Sequence, residues 1–493
     1  MKVIFDNISG KCQIDGNIPR GIVCEWREKS GETRVERGEL VVARDKIGVQ
    51  TLYYAQLPTS VIVATDLKDI LPHIAYPKIN MLNLAQPIRY NFPIDLQQTW
   101  IEQIMRVRAG EELTIDTKGV RSRIYWKRDH TPTFKGTKQE ALAEALWLLR
   151  KSVKESIETS EGPVAVLLSG GIDSTSLAAL TKEIQQEVHV ISAGYRGNNY
   201  TACDERPEAR RFAEDKGLIY HEVELDVNDF QLYLDEMMPY LDEPCFDINC
   251  MVQYALYKKA AELGFKTILC GLGGDEQFYS YAYHHKVVQA LQLRNEFLHL
   301  YPVKKHWGEY LRFVLKHPKY LLLPNHPVLM DESVPLAWTY ANYKKFAADA
   351  VLEGERFADV DVHVSFPQET DINAMYDFMF GPFMTQLCIY MANKMSVANG
   401  VEVRYPLLNP ELVAFVDSLP LEMKFDIKQP KRFQKEMMAG IVPDYILYAK
   451  KRGFTPPTEF IDAMCRLYTY KRIRASHVFF NSMVADMMID NLL

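Results

Sequence analysis

Two short turns carry the residues whose types and spacing can do chemistry. The first, Ser169-Gly170-Gly171-Ile172-Asp173-Ser174, follows the unbroken apolar run Val164 to Leu168 and precedes a stretch with helical spacing. Adjacent glycines let backbone N–H groups approach an anion with no Cβ in the way. The serine hydroxyls add donors, and a helix N-terminus adds the positive end of its dipole. A pyrophosphate fits such a turn. Asp173 is then oddly placed, because a carboxylate beside phosphates repels them unless a cation intervenes. Mg²⁺ bridging carboxylate and phosphate oxygens removes that conflict. The second turn, Gly271-Leu272-Gly273-Gly274-Asp275-Glu276-Gln277-Phe278, follows the strand-like Thr267 to Cys270. Strands of a parallel sheet end on a common edge, where ligands bind, so Asp275 is expected to meet Asp173 across the metal.

Turns of this kind need a sheet to present them. From residue 163 the chain alternates apolar runs (Val188 to Ser192, Tyr220 to Leu225, Thr267 to Cys270) with helix-patterned stretches (Glu205 to Lys216, Met251 to Leu263). That alternation predicts a parallel α/β sheet with right-handed crossovers. An apolar run without alternation, such as Val164 to Leu168, suits a strand buried on both faces. Residues 1 to about 130 read instead as β-rich, with short runs such as Leu40 to Ala43, Thr51 to Ala55 and Val61 to Ala64 between Gly, Asp and Lys turns. A Pro- and Gly-punctuated segment near Thr131 to Thr137 separates them from a helix over Gln139 to Glu158. Beyond about residue 285 the pattern is mostly helical. The expected division is 1–130 and 131–493, and the fold class is α/β.

Composition narrows the partners. The 493 residues carry 57 Lys and Arg against 64 Asp and Glu, a net charge of −7, without a long basic block, so nucleic acid is not an expected partner. No apolar run reaches the ~18 residues of a membrane span, and Met1 to Asp6 does not read as a signal peptide; a cytoplasmic protein is expected. The eight cysteines form no Cys-x-x-Cys pair and read as buried reduced thiols. There is no G-x-x-x-x-G-K-[ST] and no G-x-G-x-x-G after a first strand, which excludes P-loop and dinucleotide-binding folds.

The first turn resembles the S-G-G-x-D-S loop of N-type ATP pyrophosphatases (the PP-loop, or adenine nucleotide α-hydrolase-like, fold). Taken with further motifs, the chain resembles asparagine synthetase and its relatives, the β-lactam and carbapenam synthetases and the lasso-peptide macrocyclases. Those motifs are Arg44-Asp45-x-x-Gly48-x-x-x-Leu52-Tyr53-Tyr54, Asp204-Glu205, Asp242-Glu243-Pro244, Met395-Ser396, Gly400-x-Glu402-x-Arg404-x-Pro406 and Lys451-Arg452-Gly453-Phe454. The resemblance implies that ATP is cleaved to AMP and pyrophosphate as a carboxylate is adenylated. It implies roles by position. Ser169, Gly170, Gly171, Asp173 and Ser174 would hold the pyrophosphate end of ATP. Leu168, Ser192, Gly271 and Gly273 would border the nucleotide, and Asp173 and Asp275 would hold Mg²⁺. Lys431 would stabilise charge on the adenylate and the tetrahedral intermediate, the alternative being a solvated helix lysine. Lys451 would contact departing pyrophosphate or be a surface charge.

Departures from the pattern shape the expected function. Glutamine-dependent members use an N-terminal Cys thiolate. This sequence begins Met1-Lys2, Cys12 is not placed to replace that thiol, and the β-rich part looks like a shortened, degenerate relative of the Ntn-hydrolase glutaminase fold. Leu272 stands where relatives carry Glu, Tyr or His, and Asn409 where Asp is usual, so aspartate is a doubtful substrate. The expectation is an amide-forming synthetase that does not hydrolyse glutamine and closes a ring within a peptide or small molecule. It would act on a carboxylate-bearing substrate, with a leader-peptidase-type partner protein as a further possibility. The alternatives are an ammonia- or amine-using ligase, a β-lactam synthetase-like enzyme, activation of a tRNA base for thiolation, and a non-catalytic pseudoenzyme that binds a partner.

Overall fold

The computed structural model describes residues 1–8, 11–29, 36–90, 92–196, 204–244, 247–280, 373, 376–377, 379–426 and 428–449. Nine antiparallel strands come first: β1 (Lys2–Asp6), β2 (Cys12–Asp15), β3 (Ile22–Lys29), β4 (Glu36–Arg44), β5 (Tyr53–Gln56), β6 (Ser60–Ala64), β7 (Met105–Arg106), β8 (Glu111–Asp116) and β9 (Gly119–Ile124). They form two sheets, in the orders β2-β1-β6-β5-β7 and β3-β4-β8-β9. Alternation puts Val3, Phe5, Val61 and Val63 of the first sheet against Leu40, Val42, Leu113 and Ile115 of the second in one dry layer. The other face of the first sheet is not left wet. Ile62, Ala64 and Tyr53 pack there under the helix α1 (Met81–Tyr90) and Trp100.

The helix α2 (Lys138–Glu158) opens the second part on a capping box: the Thr137 side chain accepts from the Glu140 N–H while Glu140 accepts from Thr137. A five-stranded parallel sheet follows, in the order β12 (Ile219–Leu225), β11 (His189–Tyr195), β10 (Val164–Leu167), β13 (Thr267–Leu269), β14 (Glu402–Arg404). All four residues of β10 are buried, as its unbroken apolar run requires. The crossover helices are α3 (Ile172–Ile184), α4 (Arg206–Lys216), α5 (Val227–Met237) and α6 (Asn249–Glu262), before the single turn α7 (Gly274–Gln277). The α/β pattern predicts four of these strands. The fifth, β14, lies in a stretch read as helical; three residues are too few to show a period, and their place is set by pairing with β13. Much of the region expected to be helical beyond 285 lies outside the described residues. Within it, Met379–Ile389 is a π-helix running into the α-helix Tyr390–Ala398.

The first antiparallel sheet and its flanking loops meet the α/β part along a seam of buried charge. Glu243 accepts from the Tyr53 hydroxyl (2.8 Å) and from Arg106 Nε (2.7 Å), with a second contact to Arg106 Nη2. Lys394 bridges Asp66 and Asp242. Trp100 Nε1 donates to the Asp242 carbonyl at 2.8 Å, and the Tyr390 hydroxyl accepts from the N–H groups of both Asp242 and Glu243. Burial disfavours the Lys394 ammonium, but Asp242 and Asp66 outweigh it and hold its pKa above the ordinary lysine value. The seam thus gives a structural reading to Tyr53 and to Asp242-Glu243, which the sequence marks as motif residues without a role.

Candidate active site

The turn predicted to hold pyrophosphate and the turn predicted to bring Asp275 to the metal sit side by side at the C-terminal ends of β10 and β13. In the first, Gly170 has φ +83, and a Cβ there would meet the α4 backbone at 3.1 Å. The Ser174 hydroxyl accepts from the Ser169 N–H and lies 3.1 Å from the Ser169 hydroxyl, tying the loop to the first turn of α3. In the second, Gly273 takes φ +91, open to glycine at no steric cost. Gly274 is more constrained by its neighbours than by its backbone: a Cβ would stand 2.0 Å from Asp173 Oδ1. With Gly271 also packed on Asp173, the glycines allow the two loops to touch.

That contact brings Asp173 and Asp275 together, and a third element places a cation between them. Lys431 Nζ pairs with Asp173 Oδ2 and, at 2.6 Å, with Asp275 Oδ1. Its side chain is 6% exposed, so the reading of Lys431 as a solvated helix lysine is wrong. It precedes the short helix Arg432–Met437 with φ +59, ψ +26, and its N–H donates to the carbonyl of Tyr279 at 3.4 Å. Lys431 and Tyr279 are the two non-glycine residues with positive φ among those described. Such conformations gather at functional sites because the surroundings must hold them in place. Burial works against the charged ammonium, yet Asp173 and Asp275 overcome it and keep the pKa raised. Gln434, one turn on, donates to Asp173 Oδ1 at 2.9 Å. Sequence reasoning missed it, although its i+3 spacing from Lys431 places both on one helix face.

A cleft of about 410 Å³ opens beside this triad. It is bordered by Leu168, Ser169, Asp173, Ser174, Gly271, Gly273 and Asp275, which gathers most of the expected nucleotide residues on one surface. Leu272 and Glu276 also face it; Leu272 packs into the apolar core and brings no titratable group. Gly170 and Gly171 shape the loop. Ser192 does not border the main cleft: its hydroxyl donates to the Leu168 carbonyl, and it lines a small side cavity with Ser169 and Arg206. Lys451 lies outside the described residues. Asn409 caps the helix Pro410–Asp417 by accepting from the N–H groups of Glu411 and Leu412, so its departure from Asp bears on a helix end and not on substrate.

Two carboxylates converging on one cationic centre match the donor set of a magnesium ion that takes its other ligands from phosphate and water. Among the described residues no group of three or more His, Cys, Asp or Glu side chains could hold a metal unaided. None of the described helices is long and apolar enough to cross a membrane.

Comparison with known proteins agrees with this geometry. A glutamine amidotransferase domain model matches residues 34–126. The chain is 25% identical to Amidase chry2 of Gibberella zeae over 86% of its own length and 68% of the relative's. It is 24% identical to asparagine synthetase [glutamine-hydrolyzing] 1 of Bacillus subtilis over 84% of its length and 65% of the relative's. The chain thus spans about two thirds of these relatives. Among solved structures, the NH3-dependent NAD synthetase from Campylobacter jejuni aligns over 43% of this chain and 96% of its own at 20% identity, with a TM-score of 0.21, too low to carry an argument. The asparagine synthase model matches residues 144–491, well over half of the sequence and all of the described site, and the chain belongs to that family.

Proposed function

We propose that the protein is an ATP-dependent amide ligase that adenylates a carboxylate and passes the acyl group to an amine, releasing AMP and pyrophosphate. The observation that carries this reading is Lys431 held between Asp173 and Asp275 at the mouth of the cleft. The Ser169–Ser174 loop would cradle the β- and γ-phosphates with its N–H and hydroxyl groups. Bound Mg²⁺, held by Asp173 and Asp275, would neutralise phosphate charge. With the two carboxylates engaged by the ion, Lys431 would offer its ammonium to the negative charge that builds on the adenylate and the tetrahedral intermediate.

Residues 1–130 act in this reading as a scaffold of glutaminase (Ntn-hydrolase) descent without glutamine hydrolysis. Burial, and then the neighbouring Cys24, push the Cys12 thiol up to about 11, and burial raises Cys24 as well. Neither is poised as a thiolate nucleophile near neutral pH. With ammonia not supplied from glutamine, the amine belongs to the substrate, and ring closure within a peptide or small molecule is the reaction proposed. A leader-peptidase-type partner would prepare such a peptide.

The test is carboxylate-dependent exchange of labelled pyrophosphate into ATP by the purified chain. Exchange lost in Asp275→Asn supports the reading. Formation of ADP and phosphate in place of AMP and pyrophosphate would refute it.

A further inference from the structure

Away from the phosphate loops the cleft changes character. Its far wall is the first turn and a half of α6, faced by Phe383, Leu387 and Met391. Asn249 and Gln253 stand there four residues apart, on one face of the helix. Both border the cleft, and both amide oxygens, Asn249 Oδ1 and Gln253 Oε1, are shielded from solvent without a hydrogen-bond partner. Buried polar atoms are nearly always paired, and two unpaired ones on side chains that border a single cavity mark a place where a ligand can complete the bonding once the terminal amides turn toward it. Among the described residues no other side chain lining that wall is amide-bearing.

Charge limits what the ligand can be. Among the described residues the carboxylates lining the cleft are Asp173, Asp247, Asp275 and Glu276, and no described lysine or arginine lines it. Lys431 is engaged with the two loop aspartates. Among the described residues a second carboxylate on the substrate would meet only like charge, Asp247, at the far wall, which disfavours free aspartate. A purely apolar acyl chain would leave both amide oxygens unpaired. An amide group would satisfy the wall: with a terminal amide turned toward the cleft, the ligand N–H can donate to its oxygen, and the ligand C=O can accept from the side-chain NH₂ of the neighbouring residue.

We infer that Asn249 and Gln253 form a specificity site that grips an amide of the carboxylate substrate, a peptide bond or a carboxamide, next to the carboxyl group to be activated. This deepens the adenylation reading and rests on it for the word substrate. It also supplies a physical reason for a peptide-like acyl donor that does not depend on Leu272.

The test compares three acids of nearly equal shape: succinamate, levulinate (a methyl in place of the amide nitrogen) and succinate. Each is titrated calorimetrically into the full chain with Mg²⁺ and α,β-methylene-ATP, which cannot release pyrophosphate. Succinamate should bind at least roughly tenfold more tightly than the other two, the factor expected when one buried polar partner is lost. Gln253→Met should abolish that preference while leaving the melting temperature of the unliganded protein unchanged or raised, since it removes an unpaired buried oxygen. Equal binding of succinamate and levulinate, no binding of succinamate, or a preference that survives both Gln253→Met and Asn249→Leu would overturn the inference. Pyrophosphate exchange separates the two readings. Amide selectivity with no exchange for any carboxylate removes adenylation and leaves the amide site; exchange without amide selectivity does the reverse.

Discussion

Replacing Lys431 with methionine keeps much of the side chain's length and removes its charge. In the native protein the ammonium is 6% exposed, and its two partners, Asp173 and Asp275, are 20% and 29% exposed. At 2.6 Å and an effective dielectric near 20, the gross attraction to Asp275 is about 6 kcal/mol. Desolvation of all three groups offsets most of it. Removing one partner of a fully buried pair costs about 3–5 kcal/mol. Water reaches both aspartates here, so the expected loss is at the lower end, about 2–3 kcal/mol. Folded Lys431 has a pKa above that of an unfolded lysine, so its contribution is fully present below the ordinary lysine value. It is lost only as pH rises through the raised one. The stability gap between native protein and Lys431→Met should therefore be flat from about pH 6 to about pH 9. Without the ammonium, the paired carboxylates attract a divalent ion more strongly, and Mg²⁺ should restore more stability to the variant than it adds to the native protein. Product formation in a single turnover should fall by about 10²–10³ from the loss of transition-state charge stabilisation. The assays are urea unfolding with and without Mg²⁺ and rapid-quench product formation. Native-like stability, an unchanged Mg²⁺ response or a normal single-turnover rate would each refute the placement of Lys431 at this centre.

Three other outcomes follow from the geometry. Gly274→Ala puts a Cβ 2.0 Å from Asp173 Oδ1, so activity should drop by about 10² or more while circular dichroism stays native; full activity would show that the loops need not touch. Arg106→Met should destabilise the protein by about 3–5 kcal/mol by leaving Glu243 buried without its cation, and Arg106→Met with Glu243→Met should cost less than the two single changes added; strict additivity in urea unfolding would deny the pair. Alkylation of Cys12 by iodoacetamide, followed by mass spectrometry, should be half-maximal near pH 11 and slow at pH 8; an apparent value near 9 would show an exposed, ordinary thiol.

The turns were legible because their chemistry is local. Ser169 to Ser174 and Gly271 to Glu276 each pack glycines, an acid and a strand end into a few residues, and the unbroken apolar run before the first announces a buried parallel strand. The convergence of Asp173 with Asp275 followed from strand ends sharing an edge. What joins them is not local. Lys431 lies 258 residues from Asp173, and nothing in its neighbourhood shows that it is buried or that its backbone is left-handed. The resemblance alone placed it. The wall formed by Asn249 and Gln253 was invisible for a related reason: an amide on a helix face reads as a surface residue until Phe383 and Leu387, far away in sequence, are seen to line the same cleft. Ser192 stands beside the main cleft and not on it, because a short hydroxyl at a strand end can face a ligand or its own sheet, and here it bonds the residue that ends the neighbouring strand. The β14 strand escaped because its conformation is imposed by its partner.

The seam at Asp242 and Glu243 bears on how such a chain can change over time. These residues sit seven and six positions before Asn249 on the far wall of the cleft, and they are fastened by Tyr53, Trp100 and Arg106 from the antiparallel part. A lineage with no use for ammonia gains little by discarding those sheets, because deletion would strand Glu243 without its cation, take Asp66 from Lys394 and release the approach to α6. Selection acting on the ligase alone would preserve the N-terminal region, with drift falling on the parts remote from the seam. Across descendants of such a protein, Tyr53, Arg106, Glu243 and Lys394 should vary together, while the two cysteines of the sheets are free to disappear.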